Sequence, residues 1–335
     1  MTSRPNLLTD VPGIRVGNAQ DPRLASGVTV ALFERPAVAS VFVAGGGPAG
    51  RDLECLEPDR AVERIDAIVL SGGSGFGLDS TTGVQAWLNE HGRGIPVASA
   101  RVPIAPTAVL FDLLNGGDKD WGRFPPYREL GYAACEAASE SFSLGTAGGG
   151  YGATTVDLKG GLGSASATTS RGYNVGALAC VNAIGSAVID GGPHFWAAPF
   201  ERDGEFGGLG IPATVPANAR RFRWKGQQQL ATTICMVATD ATLTKAEAKR
   251  LAIMAQGGLA KALSLSHAPM DGDTVFAVST LGRPAEGGLD LLTELGAIAS
   301  DCLARAIAHG VHAATALPFP DALPAWADRF GMSKG

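Results

Sequence analysis

The run Ala231-Thr232-Thr233-Ile234-Cys235-Met236-Val237-Ala238-Thr239-Asp240 places a small residue, then a hydroxyl, at the mouth of an almost unbroken apolar stretch. Such a stretch reads as a strand buried on both faces. A threonine at its first position has two uses. Its Oγ is placed to attack the preceding carbonyl and cut the chain. The threonine so freed carries a nucleophilic hydroxyl and an α-amine on one rigid element. An α-amine has a reference pKa of about 7.7–8.0, so a useful fraction is unprotonated near neutral pH. It then serves as the base for its own hydroxyl, a recognised way to activate a weak nucleophile. The same run also fits an ordinary strand with threonine at its edge, since threonine favours strands.

Composition narrows the classes. The chain has 335 residues, 45% hydrophobic and 18% charged, which suits a core of one large or two ordinary domains. No low-complexity linker divides it, so one domain, 1–335, is expected. The net charge of −5 is spread without long runs of one sign, so neither a nucleic-acid footprint nor a polybasic membrane anchor is expected. Residues 1–13 carry one arginine and no apolar run of signal-peptide length, and no stretch has the apolar length to cross a bilayer. A cytoplasmic location is the expectation. Five cysteines, with no Cys-x-x-Cys pair, read as reduced buried thiols.

Further apolar runs read as strands over 28–33, 38–43, 67–70, 176–181, 186–189 and 274–279. Helices are expected over 80–91, from the capping box Thr244-Lys245-Ala246-Glu247 to about 263, and from 295 to about 314. So many strands buried on both faces require two stacked sheets with helices outside both. Residues 195–229 read as an exposed loop leading to Thr232, ending in Gln227-Gln228-Gln229. The proline-containing tail from Pro318 reads as a surface extension.

Several segments bear chemistry-capable residues. Ser71-Gly72-Gly73-Ser74-Gly75-Phe76-Gly77 follows a strand and precedes a helix, but its glycine spacing fails the dinucleotide fingerprint, and no phosphate-loop motif exists. A glycine turn packing helix on sheet explains it as well. Lys159 stands beside Gly160-Gly161, where an amine would stabilise negative charge or simply be solvated. His309 and His312 have helical spacing without a third ligand, so no metal is expected. His91, His194 and His267 are isolated. In Met270-Asp271-Gly272-Asp273-Thr274, two carboxylates flank a glycine at the mouth of a strand; this is an amine- or hydroxyl-orienting pair, or a common Asp-Gly turn. Asn182 ends the strand at 176–181, where its amide is an oxyanion donor or a turn residue.

Together these segments resemble the L-aminopeptidase/D-esterase family, which includes β-peptidyl aminopeptidases and nylon-oligomer hydrolases. The matching runs are 8–17, 67–74, 103–112, 159–166, 175–185, 232–240 and 270–278, in the family's order and spanning about residues 6–317. The resemblance implies an α+β fold, a four-layer α-β-β-α sandwich like that of N-terminal-nucleophile hydrolases. It implies autocleavage between Ala231 and Thr232 into an α chain 1–231 and a β chain 232–335, a metal-free and cofactor-free acyl-enzyme mechanism, and a symmetric oligomer, a tetramer of α/β units. By position, Thr232 matches the nucleophile, Asn182 the oxyanion residue, and Asp271 and Asp273 the paired carboxylates. Three positions depart from the pattern. Ala231 replaces the usual Asn or Gly before the nucleophile. Phe111 stands where some members have a tyrosine donor. Asp157 stands where the nylon-hydrolase branch has a lysine, for which Lys159 is the candidate substitute.

The expected activity is hydrolysis of amide bonds in small peptides or amino amides through a Thr232 acyl-enzyme. Two alternatives share the fold: an acyltransferase of the ornithine acetyltransferase type, in which an amine replaces water as acceptor, and a non-catalytic relative whose Phe111 and Ala231 mark a lost site.

Overall fold

The computed structural model describes residues 5–226 and 230–331. Gln227-Gln228-Gln229 and the first four and last four residues, on which the readings of the leading segment and tail partly rest, lie outside the described residues. In chain order the strands are β1 (Ile14–Asp21), β2 (Ser26–Val43), β3 (Gly50–Arg51), β4 (Ile65–Ser71), β5 (Ile95–Val97), β6 (Ala100–Val102), β7 (Thr107–Val109), β8 (Gly161–Thr168), β9 (Asn174–Asn182), β10 (Thr232–Ala241) and β11 (Thr274–Arg283). The helices are α1 (Ser80–Glu90), α2 (Tyr127–Glu136), α3 (Lys245–Ala255), α4 (Gly257–Ala262), α5 (Gly288–His312) and α6 (Trp326–Phe330).

Strand β2 belongs to two sheets. Its first part pairs with β1 and β4, which continues through β7 to β3. Its second part pairs with β11, which continues through β10 and β9 to β8. The runs 28–33 and 38–43 are therefore one strand, bent at the exposed Glu34-Arg35-Pro36. Proline lacks the N–H for a ladder bond, so the partner sheet changes where it sits.

The sheets stack face to face, and period-2 alternation explains why the strands are apolar at nearly every position. Along β10, Ile234, Met236 and Ala238 enter the layer between the sheets with Leu178, Cys180, Phe276 and Val278. Cys235 and Val237 point outward into a layer with α3, α4 and α5. On the other side, Val28, Val30 and Leu32 pack with Val84, Leu88 and Ala134 of α1 and α2. The result is the expected four-layer α-β-β-α sandwich.

Local readings needed correction. The segment 186–189 forms only the isolated bridges Ser186–Ser264 and Val188–Phe195; the Val188 N–H and carbonyl both bond the Ser186 hydroxyl instead of a neighbouring strand. The helix opened by the Thr244 box ends at Ala255, and α4 restarts after Gln256, where Gly258 lies too close to the Ser300 carbonyl for any side chain. Helix α5 starts at Gly288, seven residues before the expected 295, and most of it is buried in the core. His309 bonds the Ser164 carbonyl through Nδ1, and His312 packs on Trp326. Phe195 and Phe206, placed in an exposed loop by their polar surroundings, are buried, and Trp326 from the tail stacks on Phe195. Strands β1 and β8 and helix α2 went unread because glycine and polar residues interrupt their patterns. The turn at 71–77 is a packing turn: a side chain at Gly73 would overlap the Tyr127 ring. All five cysteines are unpaired, four of them buried.

Candidate active site

Thr232 is the first residue of β10, on the side that faces the inter-sheet layer. Its Oγ1 lies 2.5 Å from the carbonyl oxygen of Ala231, the residue before it. The same oxygen accepts the Gly272 N–H at 3.0 Å. Ala231 is fully buried and bridges Asp271 in parallel register, so the peptide ahead of the strand is held at both ends. The hydroxyl and the polarised carbonyl are thus assembled in the continuous chain.

Asn182, the last residue of β9, is the antiparallel partner of Thr232. Its Oδ1 accepts the Thr154 N–H at 3.0 Å and the Lys225 ammonium at 3.0 Å. Its Nδ2 donates to the Phe111 carbonyl at 2.9 Å. Two donors on one side and a carbonyl on the other fix which way the amide points. Phe111 therefore contributes its backbone, not its ring, to the site.

The carboxylate pair arrives from the turn before β11. Asp273 Oδ1 accepts the Thr233 N–H at 2.8 Å, tying the pair to the residue beside Thr232. Asp273 Oδ2 accepts the His267 N–H, and His267 Nδ1 lies 2.9 Å away without the alignment of a hydrogen bond. Asp271 Oδ2 accepts the Ala268 N–H at 3.2 Å, while Oδ1 is buried with no partner among the described residues. Burial, followed by the charge of Asp273, pushes the Asp271 carboxyl up to about 7. A buried acid with one oxygen unsatisfied is costly to keep.

Lys159 is not in contact with Thr232. Its buried Nζ donates to the carbonyls of Gly150, Ala153 and Gly160 at 2.8–3.2 Å, and burial pushes it down to about 7. It braces the segment that supplies the Thr154 N–H to Asn182. Asp157 faces away, accepting from Ser186 and pairing with Arg223 at 3.5 Å. A cavity of about 630 Å3 adjoins Asn182, with Phe111, Thr154, Lys159, Lys225 and Leu230 in its wall. Thr232 does not line it; Leu230, two positions before it, does.

The structure thus gathers Thr232, Ala231, Asn182, Asp271 and Asp273, and leaves Lys159 one layer behind them. Sequence reading missed Gly272 as a hydrogen-bond donor, Lys225 and His267. Lys225 lies only seven positions before Thr232, but a lone lysine in a polar loop gives no signal. Burial pushes its amine down to about 7.

Fold and site together define a hydrolase of peptide or amide bonds built as an N-terminal-nucleophile-type sandwich. The chain belongs to peptidase family S58, whose model matches residues 6–322. It is 42% identical over 327 residues to a Mycobacterium tuberculosis protein named as an uncharacterized aminopeptidase, covering 91% of this chain and 93% of that one. It is 28% identical over 337 residues to the 6-aminohexanoate-oligomer endohydrolase of Paenarthrobacter ureafaciens, covering 91% and 86%. Among solved structures, the L-aminopeptidase D-Ala-esterase/amidase of Ochrobactrum anthropi superposes with a TM-score of 0.68 at 21% identity over 97% of this chain and 92% of its own. That protein is described as a variant of the Ntn hydrolase fold, and at this identity the likeness is one of fold. Among the described residues no helix is long and apolar enough to cross a membrane.

Proposed function

We propose that this chain is a self-processed aminopeptidase or amidase that cleaves small peptides or amino amides with Thr232 as nucleophile. The observation that carries the reading is the contact of Thr232 Oγ1 with the Ala231 carbonyl, next to Asn182 and the Asp271–Asp273 pair. In maturation, Oγ attacks the Ala231 carbonyl carbon, its proton passes to the Thr232 nitrogen, and the C–N bond breaks. Water then hydrolyses the ester, giving chains 1–231 and 232–335 of one catalytic unit. The new ammonium finds a carboxylate in Asp271, whose Oδ1 is unpaired in the uncut chain.

In turnover, the Thr232 amine takes the proton from Oγ, directly or through water, as Oγ attacks the substrate carbonyl. Asn182 holds the oxyanion, and the carboxylate pair keeps amine and hydroxyl in place. The leaving amine takes a proton, and water releases the acyl group. Substrate enters through the cavity, whose wall includes Leu230, next to the residue at which scission ends the α chain. The names of the relatives, aminopeptidase and 6-aminohexanoate-oligomer endohydrolase, support a small amide substrate and water as acceptor. A cytoplasmic homo-oligomer, a tetramer of α/β units, completes the proposal.

Intact-mass analysis of purified protein tests it. Two chains meeting at Ala231–Thr232, with hydrolysis of amino-acid p-nitroanilides, are expected. A single uncut chain that still hydrolyses them after Thr232→Ala would overturn the mechanism.

A further inference from the structure

We propose that the Gly272 N–H is the oxyanion donor for the chain's own scission, and that residue 272 is glycine because the Thr232 hydroxyl needs its side-chain space. This rests on the proposed cut at Ala231–Thr232. Among the described residues the Ala231 oxygen has two partners, Thr232 Oγ1 at 2.5 Å and Gly272 N at 3.0 Å. When Oγ leaves the oxygen to bond the carbonyl carbon, the first of these is lost. The carbonyl π pair moves onto the oxygen at that moment, and the Gly272 N–H is the donor that remains. A fixed donor aimed at developing charge in a dry site is where such stabilisation is largest.

The N–H is aimed by the other end of its own peptide. The Asp271 carbonyl accepts the Gly47 N–H at 2.7 Å. The peptide between 271 and 272 is planar and trans, so holding its C=O on one side points its N–H to the other, at Ala231. The glycine run 45–47 permits this approach: a side chain at Gly45 would lie 2.3 Å from the Asp271 oxygen. A side chain at Gly272 would lie 2.6 Å from Thr232 Oγ1. Gly272 is not in the left-handed region, so its backbone does not itself demand glycine. The space does. Asn182 is separate: one Nδ2 hydrogen goes to the Phe111 carbonyl and not to the Ala231 oxygen, and the second is the one assigned above to the substrate oxyanion.

Replacing Gly272 with glycolic acid by nonsense suppression in cell-free translation removes the N–H and nothing else from that side. The ester also weakens the Asp271 carbonyl as acceptor for Gly47. Glycolic acid at position 47 is the control, because it deletes that same bond and spares Ala231. Scission is followed by mass from the time of synthesis, and folding by thermal melting. The 272 ester is expected to slow scission ~100-fold or more, against less than tenfold for the control. Gly272→Ala keeps the N–H and crowds Oγ, and is also expected to slow scission. Equal rates for the two esters, or wild-type scission in Gly272→Ala, overturn the inference while leaving Thr232 as nucleophile. A wild-type chain that is never cut ends both.

Discussion

Thr232 and Asn182 face each other as Cα partners at the open end of the β9–β10 ladder, one carrying a hydroxyl and the other an amide. The pairing fixes their separation through the backbone of two buried strands, where it does not depend on any loop. Turnover chemistry that needs a nucleophile beside a donor is therefore built into the sheet register.

Asn182→Ala is expected to lower kcat ~100-fold while chain scission still proceeds, because the Ala231 oxygen is served by Gly272. Steady-state kinetics and intact mass on the same preparation check this. An equal loss of both activities would show that one donor serves both reactions.

Lys225→Met removes a charged donor from Asn182 Oδ1 and from the Thr154 carbonyl, both within 3.0 Å. A hydrogen bond to a charged group is worth about 1.5–3 kcal/mol, so roughly a tenfold or greater fall in kcat is expected from the loosened amide. KM should change less, and Lys225→Arg should restore part of the rate.

Lys159→Met leaves the carbonyls of Gly150, Ala153 and Gly160 without their shared donor. The Gly150 and Ala153 carbonyls keep the Ala153 and Gly160 N–H groups as donors, so what is lost is one hydrogen bond at each carbonyl, about 0.5–1.5 kcal/mol apiece, and this variant should melt below the wild type. Lys159 also gives wild-type stability a pH dependence. Its folded pKa is depressed, so its contribution is present above about pH 10.5 and is lost as pH falls toward 7. The methionine variant should lose that share of the slope and keep the part that Lys225 contributes.

Asp271 acts in the opposite sense. Its folded pKa is raised from 3.8 to about 7, so its contribution is fully present below about pH 4 and is lost as pH rises through 7. At about 1.4 kcal/mol per pH unit between the two values, roughly 4 kcal/mol is the ceiling, reduced by coupling to Asp273. Unfolding in urea of the unprocessed Thr232→Ala chain, with and without Asp271→Asn, should show a steeper decline between pH 4 and 7 when Asp271 is present, since the buried Asp112, also raised by burial, adds a decline of its own to both.

The sheet core was legible because burial leaves a plain mark. Strands β10 and β11 are apolar on both faces, and both faces are covered, so the run had no polar phase to hide in. Thr232, Asn182, Asp271 and Asp273 were legible as polar residues at the ends of such runs. His267 was not, although it is six positions from Asp273. The chain returns on itself through left-handed backbone at Leu265 and His267, with φ of 83° and 59°, and nothing in those residue types announces it. Lys159 was read as a surface or anion-binding amine, and it is enclosed by three carbonyls. A side chain name does not say whether its neighbours are water or backbone.

The sequence by itself determined the layers, the strand that begins at Thr232 and the residues at its ends, since those follow from where apolar area must be buried. Only the tertiary structure decided which backbone groups serve them: the Gly272 N–H on the Ala231 carbonyl, the Gly47 N–H that aims it, and the Thr154 N–H on Asn182. Every residue but proline has the same N–H and C=O to offer. Which ones meet a reacting atom is set by three-dimensional approach, and composition leaves no trace of that.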